Sequence, residues 1–110
     1  MKTITENAVE RLIPTIQKDH HKGKGGTALM LCGSRGYAGA AALAANGAYR
    51  VGVGIVRCIL PESIYSIVSS LVPEAVFSFC EEFVGERRDN VEEIVSLSQK
   101  ARAMLIGCGL

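Results

Sequence analysis

The 110-residue sequence has almost no net charge, because 12 Lys and Arg against 11 Asp and Glu leave +1 at neutral pH. Binding nucleic acid or an anionic membrane needs an excess of one sign, so neither partner is implied. No uncharged apolar run is long enough to span a bilayer, and Glu6 and Glu10 interrupt the basic and apolar segments of a secretory leader. The chain is expected to be cytoplasmic. The four cysteines, Cys32, Cys58, Cys80 and Cys108, form no C-x-x-C pair, so neither a zinc knuckle nor a redox motif is suggested. Each lies in or just after a predicted strand, and four such thiols could converge on a metal at one sheet edge. Unpaired cysteine is more commonly a small buried hydrophobe, and no metal site is expected. There is no internal repeat, no low-complexity tract, and no Ser, His and Asp order that suggests a hydrolase.

What is present is a globular balance. Hydrophobic residues make up 48% of the chain and charged residues 21%. The length suits one small domain with one core. A mean hydropathy of +0.24 is slightly apolar for a solitary soluble domain, so part of the surface is expected to meet a partner.

Along the chain, Thr3 and Glu6 have the spacing of a capping box. Ala8, Val9, Leu12 and Ile13 then recur on one face of a short helix that ends before Pro14 and is expected to pack on the side of the domain. After a polar loop from Gln17 to Gly26, Thr27 to Cys32 (TALMLC) is an apolar run of strand length that alternates poorly, as in a strand buried on both faces. Ala38 to Val51 has helical length, with small residues that allow close approach to a sheet or a neighbouring helix. A second strand fits Gly54 to Leu60. Pro61 and Glu62 suit the first turn of a following helix in which Ile64, Ile67, Val68 and Leu71 share a face. A third strand, Ala75 to Cys80, precedes a charged loop. From Asp89 a helix capped by Asp89 or Asn90 turns Val91, Ile94, Val95 and Leu97 or Ser98 inward, and Arg102 to Ile106 is the fourth strand.

Strands alternating with helices predict an α/β fold, a parallel doubly wound sheet with helices on both faces. The sequence stops at Gly109 and Leu110, where a fourth strand would turn into a covering helix. Residues 1–110 are therefore expected to be the front part of a larger α/β domain.

The chemistry gathers at CGSRGYAGA, where the chain leaves a strand, passes Gly33, Gly36 and Gly39, and enters a helix. Backbone N–H groups and a helix N-terminus can hold an anion in that setting. The spacing is G-x-x-G-x-x-G, neither the dinucleotide G-x-G-x-x-G nor a Walker loop ending in Lys-Ser or Lys-Thr. Glycines also permit positive φ and close helix packing, so the pattern alone leaves a ligand cradle and a packing device both open.

Taken together, the order HKG, TALMLCGS, YAGAAALAANGAYRVGVG, PE and a late IGCGL resembles the NAD(P)H-hydrate dehydratases, ribokinase-like enzymes that repair hydrated NADH and NADPH. The resemblance spans nearly the whole chain and implies an incomplete ribokinase-like domain. In that family ADP or ATP, with Mg2+, donates a phosphoryl group to the hydroxyl of the hydrate, and elimination as phosphate restores the dihydronicotinamide. The resemblance places Ala40, beside Gly39, and Gly109 against the hydrated nucleotide, both acting through backbone. Gly33, Ser34 and Gly36 are expected to flank that site. Lys22 and Lys24 are candidate contacts to substrate phosphates, and Arg35 stands at the mouth of the glycine turn.

Two departures qualify what the resemblance implies. Cys108 stands where the family usually has proline. The family's glycine-rich G-x-G-D segment, which carries the phosphoryl-donor site and the catalytic aspartate, has no counterpart here, and neither does its late histidine. No catalytic residue is expected in this chain, only part of a substrate site, with a homo-oligomer or a complementary C-terminal segment as partner. The alternative is a catalytically inactive binding or assembly module. A small dinucleotide-binding domain is disfavoured, because Leu60 and Pro61 stand where an acidic residue would read the ribose. His20 and His21, adjacent on a loop without an acidic partner, are expected to be solvated or hydrogen-bonded locally, and the charged run from Glu81 to Asp89 to be a solvated loop.

Overall fold

A computed structural model describes residues 2–12, 25–80 and 88–110. Four strands, β1 (Thr27–Cys32), β2 (Ile55–Pro61), β3 (Val76–Cys80) and β4 (Ala103–Gly107), form one sheet in the order β3-β2-β1-β4. Every pairing is parallel. The helices are α1 (Glu6–Leu12), α2 (Ala38–Arg50), α3 (Tyr65–Leu71) and α4 (Arg88–Gln99), with a 3-10 turn, Glu62–Ile64, ahead of α3.

Strand periodicity divides the core into two layers. Ala28, Met30 and Cys32 of β1 and Val56, Cys58 and Leu60 of β2 pack against Ala41, Ala42 and Ala45 of α2 and against Ile64 and Val68. Leu29, Leu31, Ile59 and Cys80 point the other way, toward Ile94 and Leu97 of α4 and Ala101. The expected helices on both faces are present. Because β1 lies between them, its last five residues are all buried, which explains a strand sequence without polar alternation. Burial of a leucine such as Leu29 or Leu60 contributes about 1.5–3 kcal/mol, and the three buried alanines let α2 lie close to the sheet.

The crossovers from β1 to β2 and from β2 to β3 place α2 and α3 on one face, whereas the return from β3 to the far side of β1 places α4 on the other. Right-handed connections require that change of face when the direction reverses. The carboxyl ends of β1 and β4, neighbours reached by connections running in opposite directions, form the topological switch point where ligands bind in open α/β sheets.

Several local expectations are corrected. The cap of α1 is Thr5, whose hydroxyl accepts the Ala8 N–H at 3.2 Å, and no residue of α1 is buried. Pro61 ends β2 instead of opening a helix, and the shared face in the next segment splits, with Ile64 and Val68 buried but Ile67 and Leu71 half exposed. A 3-10 turn rotates residues by a different angle from an α-helix, which breaks the assumed period. Helix α4 already begins at Arg88, so Asp89 and Asn90 are not its caps, and Val91 and Val95 are exposed while Ile94 and Leu97 pack inward. Met104, Leu105 and Ile106 of the edge strand β4 are also exposed.

Candidate functional site

The turn after β1 begins at Gly33, with φ +83, a conformation that side chains rarely adopt. A Cβ there would also lie 3.0 Å from Ala41 Cβ and 3.1 Å from Ile64 Cδ1, so glycine is required on both counts. Tyr37 N–H donates to the Ser34 carbonyl at 2.8 Å, closing the turn that leads into α2. No side chain caps the first turn of α2, which leaves its orphan N–H groups and the positive end of its dipole for another partner.

The turn after β4 lies on this one. Gly33 N–H donates to the Cys108 carbonyl at 2.9 Å, and the Ser34 hydroxyl donates to the Gly109 carbonyl. Gly109 has φ +82, and a Cβ on it would be 2.8 Å from Tyr37 Cβ and 3.0 Å from Ala40 Cβ. Ala40 and Gly109 therefore touch across the switch point. Of the sequence candidates, Gly33, Ser34, Ala40 and Gly109 meet where the two turns pack together, and Gly36 and Gly39 lie in the same turn and in the first turn of α2. Gly36 and Gly39 have nothing within 4 Å of where a Cβ would stand, so their surface is open. Lys22, Lys24, His20 and His21 lie outside the described residues.

Sequence reasoning passed over Tyr37, which stands exposed between the two turns; of the four cysteines whose convergence it weighed, Cys32 and Cys108 are neighbours. Cys32, Cys58 and Cys80 are buried, as expected of small hydrophobes, whereas Cys108 is exposed. Burial first, then the neighbouring Cys108 and Cys58, pushes the Cys32 thiol up to about 12. Burial alone takes Cys58 to about 11, and burial with Glu93 nearby raises Cys80. The three are protonated at neutral pH. Among the described residues no group of three His, Cys, Asp or Glu that could hold a metal exists, and Gly33–Gly39 and Gly107–Leu110 contain no Asp or Glu. What the crevice offers is backbone N–H and C=O groups, one hydroxyl and small side chains. A cavity of about 410 Å³ lined by Tyr49, Gly54, Ile55, Glu74 and Val76 lies at the opposite, amino end of the strands and contains none of these residues.

The NAD(P)H-hydrate dehydratase family model matches residues 28–110, from the start of β1 through the turn after β4. The chain belongs to this family. A bifunctional NAD(P)H-hydrate repair enzyme of Methanothermobacter thermautotrophicus is 38% identical over 98 residues, which is 88% of this chain and 18% of that protein. An ADP/ATP-dependent NAD(P)H-hydrate dehydratase of Bacillus subtilis, co-crystallised with ATP and Mg2+, superposes with a TM-score of 0.75 at 33% identity, covering 96% of this chain and 36% of that one. A ribokinase-like protein of Enterococcus faecalis shares the fold, with a TM-score of 0.77 at 20% identity over 97% of this chain and 35% of its own. The chain thus spans less than a fifth of the curated repair enzyme and about a third of the solved structures it resembles. No helix among the described residues is long and apolar enough to cross a membrane.

Proposed function

We propose that this chain carries part of the substrate site of a nucleotide-repair lyase, which dehydrates the S-form of hydrated NADH or NADPH at the expense of ADP or ATP. The observation that carries this reading is the contact between Ala40 and Gly109, two positions assigned to the hydrated nucleotide by resemblance and brought together at the switch point. Small residues there let the ligand approach backbone groups, and the uncapped start of α2 favours a phosphate of the dinucleotide. Ser34 orients the second turn through the Gly109 carbonyl.

The residues of the crevice do not fit the phosphoryl donor or a magnesium ion. Hard cations are commonly held by Asp and Glu side chains, and the two turns contain neither. The donor site, the ion and the catalytic aspartate are assigned outside residues 1–110, so these residues form the N-terminal portion of a single ribokinase-like domain working in the cytoplasm.

The test uses the 110-residue chain, with binding of hydrated NADH measured against NADH and the return of dihydronicotinamide absorbance followed with Mg2+ and either ADP or ATP. Preferential binding of the hydrate without turnover is expected. Absence of hydrate binding would remove the substrate-site assignment, and nucleotide-dependent turnover would move the phosphoryl-transfer site into these residues. A second reading, a non-catalytic module that assembles through an edge, is favoured by the exposed Met104, Leu105 and Ile106 on β4. A concentration-dependent homo-oligomer that binds no hydrate would support it.

A further inference from the structure

Two thiols meet where β1 and β4 end side by side. Cys32 is the last residue of β1, is 1% exposed, and pairs in register with Gly107 of β4. Cys108 is the next residue along, is exposed, and is fixed to β1 by the 2.9 Å bond from Gly33 N–H to its carbonyl. Its thiol is a neighbour of the Cys32 thiol and, second only to burial, raises that thiol's pKa. Neighbouring strands lie about 4.8 Å apart, within the about 4.4–6.8 Å that a disulfide spans between Cα atoms. Gly107, at φ +144, takes the chain out of strand alternation before Cys108, so its side chain is not confined to the face opposite Cys32.

We propose that Cys108 and Cys32 form a dithiol–disulfide pair that a low-molecular-weight disulfide oxidises by exchange, entering at Cys108. Cys108 Sγ gives up its proton and attacks one sulfur of the small disulfide, whose S–S bond breaks. One small thiol leaves with a proton, and the other half stays on Cys108. The Cys32 sulfur then gives up its proton and attacks Cys108 Sγ, expelling the second small thiol. One small disulfide is reduced to two thiols while two cysteine thiols become one disulfide.

Exposure sets the order of attack, since only Cys108 meets an incoming reagent. Burial holds the Cys32 thiol protonated at neutral pH, which protects it from reagents in solution. Held against the mixed disulfide, it gains an effective molarity that reaches about 10^5 M or more, which offsets the scarcity of thiolate. Cys58 shares the layer but pairs in register with Met30, one step back from the strand end. The new bond would tie the turn bearing Gly109 to β1, so the oxidation state sets how firmly the crevice is closed.

The experiment treats the reduced 110-residue chain with oxidised glutathione and follows intact mass and peptide maps. The chain is expected to lose the mass of two hydrogen atoms, with the Cys32 peptide joined to the Cys108 peptide and with Cys58 and Cys80 free. Cys108→Ser should form neither link nor adduct, and Cys32→Ala should keep glutathione on Cys108. A wild-type chain that stays reduced, retains the adduct on Cys108, or links a different pair would overturn the assignment. The wild-type map decides the matter whether or not Cys32→Ala folds.

Discussion

At the amino end of the sheet, Gly25 lies so close to Gly54 that a Cβ on it would sit 2.6 Å from the Gly54 nitrogen and 2.7 Å from its Cα. At the carboxyl end, a Cβ on Gly36 or Gly39 would meet nothing within 4 Å. Backbone bonds close both ends, from Ile55 N–H to the Gly26 carbonyl at 3.0 Å and from Arg102 N–H to the Thr27 carbonyl at 2.9 Å at one, and from Gly33 N–H to the Cys108 carbonyl at 2.9 Å at the other. At the carboxyl end the first turn of α2 in addition has no side-chain cap. The glycines thus serve different purposes in one sequence: Gly25 before β1 and Gly33 after it are held by packing, whereas Gly36 and Gly39 leave open surface. Glycine content does not pick out the open surface. The polarity of the sheet points to it, because ligand crevices lie at the carboxyl ends of parallel strands.

The contrast is most exposed to test at Gly25. Backbone meeting backbone cannot be relieved by a rotamer change, so Gly25→Ala should lose about 3 kcal/mol in urea unfolding while the folded fraction binds hydrated NADH as before. A loss near zero would mean that the packing at Gly25 is slack and the two uses of glycine are not different in kind.

The thiols give the next largest effect. An unfolded thiol titrates near about 8.5, and folding raises Cys32 to about 12 and Cys58 to about 11. A raised pKa means that the folded state holds the proton more tightly, so the contribution is complete below pH 8.5 or so and is lost as pH climbs toward 11–12. Stability should fall by about 1.4 kcal/mol per pH unit for each such thiol. Cys32→Ala and Cys58→Ala should each remove one share of that slope. If Cys32 contributed none, the carboxyl end would be wetter than its 1% exposure indicates.

At the cradle, Ala40→Leu should weaken hydrate binding tenfold or more, about 1.4 kcal/mol, by filling the space beside Gly109. Titration with hydrated NADH checks it, and unchanged affinity would remove Ala40 from the site. Ser34→Ala deletes the hydroxyl bond to the Gly109 carbonyl and should cost about 1 kcal/mol of stability, read in the same urea experiment.

How much of this was legible depends on which force decided each element. β1 was bounded correctly because a strand buried on both faces must be apolar throughout, and TALMLC is. Helix α2 followed from its length and small residues. The inward faces of α3 and α4 were assigned only in part, because apolar residues fall on more than one side of each, and the backbone chooses between Val68 and Ile67 or between Ile94 and Val95. The convergence of Ala40 with Gly109 came from resemblance and not from spacing, since residues so distant in sequence meet only once β4 has docked beside β1. The pairing of Cys32 with Cys108 has the same origin. A register between nonconsecutive strands leaves no local trace in the chain.

Gly39→Ala produces the smallest effect and separates the two uses of glycine most cleanly. Gly39 sits in the first turn of α2, has no positive φ, and has open space where a Cβ would go. Nothing in the folded chain requires glycine there, and alanine, which loses less backbone entropy in a helix, should stabilise by about 0.5–1 kcal/mol. A residue kept small for packing would resist substitution, whereas one kept small for a ligand would accept it in the free chain and penalise it in the complex. The expected outcome is a higher urea midpoint together with weaker binding of hydrated NADH. A higher midpoint with full affinity would confine the ligand contact to Ala40 and Gly109 and leave Gly39 as open surface beside them.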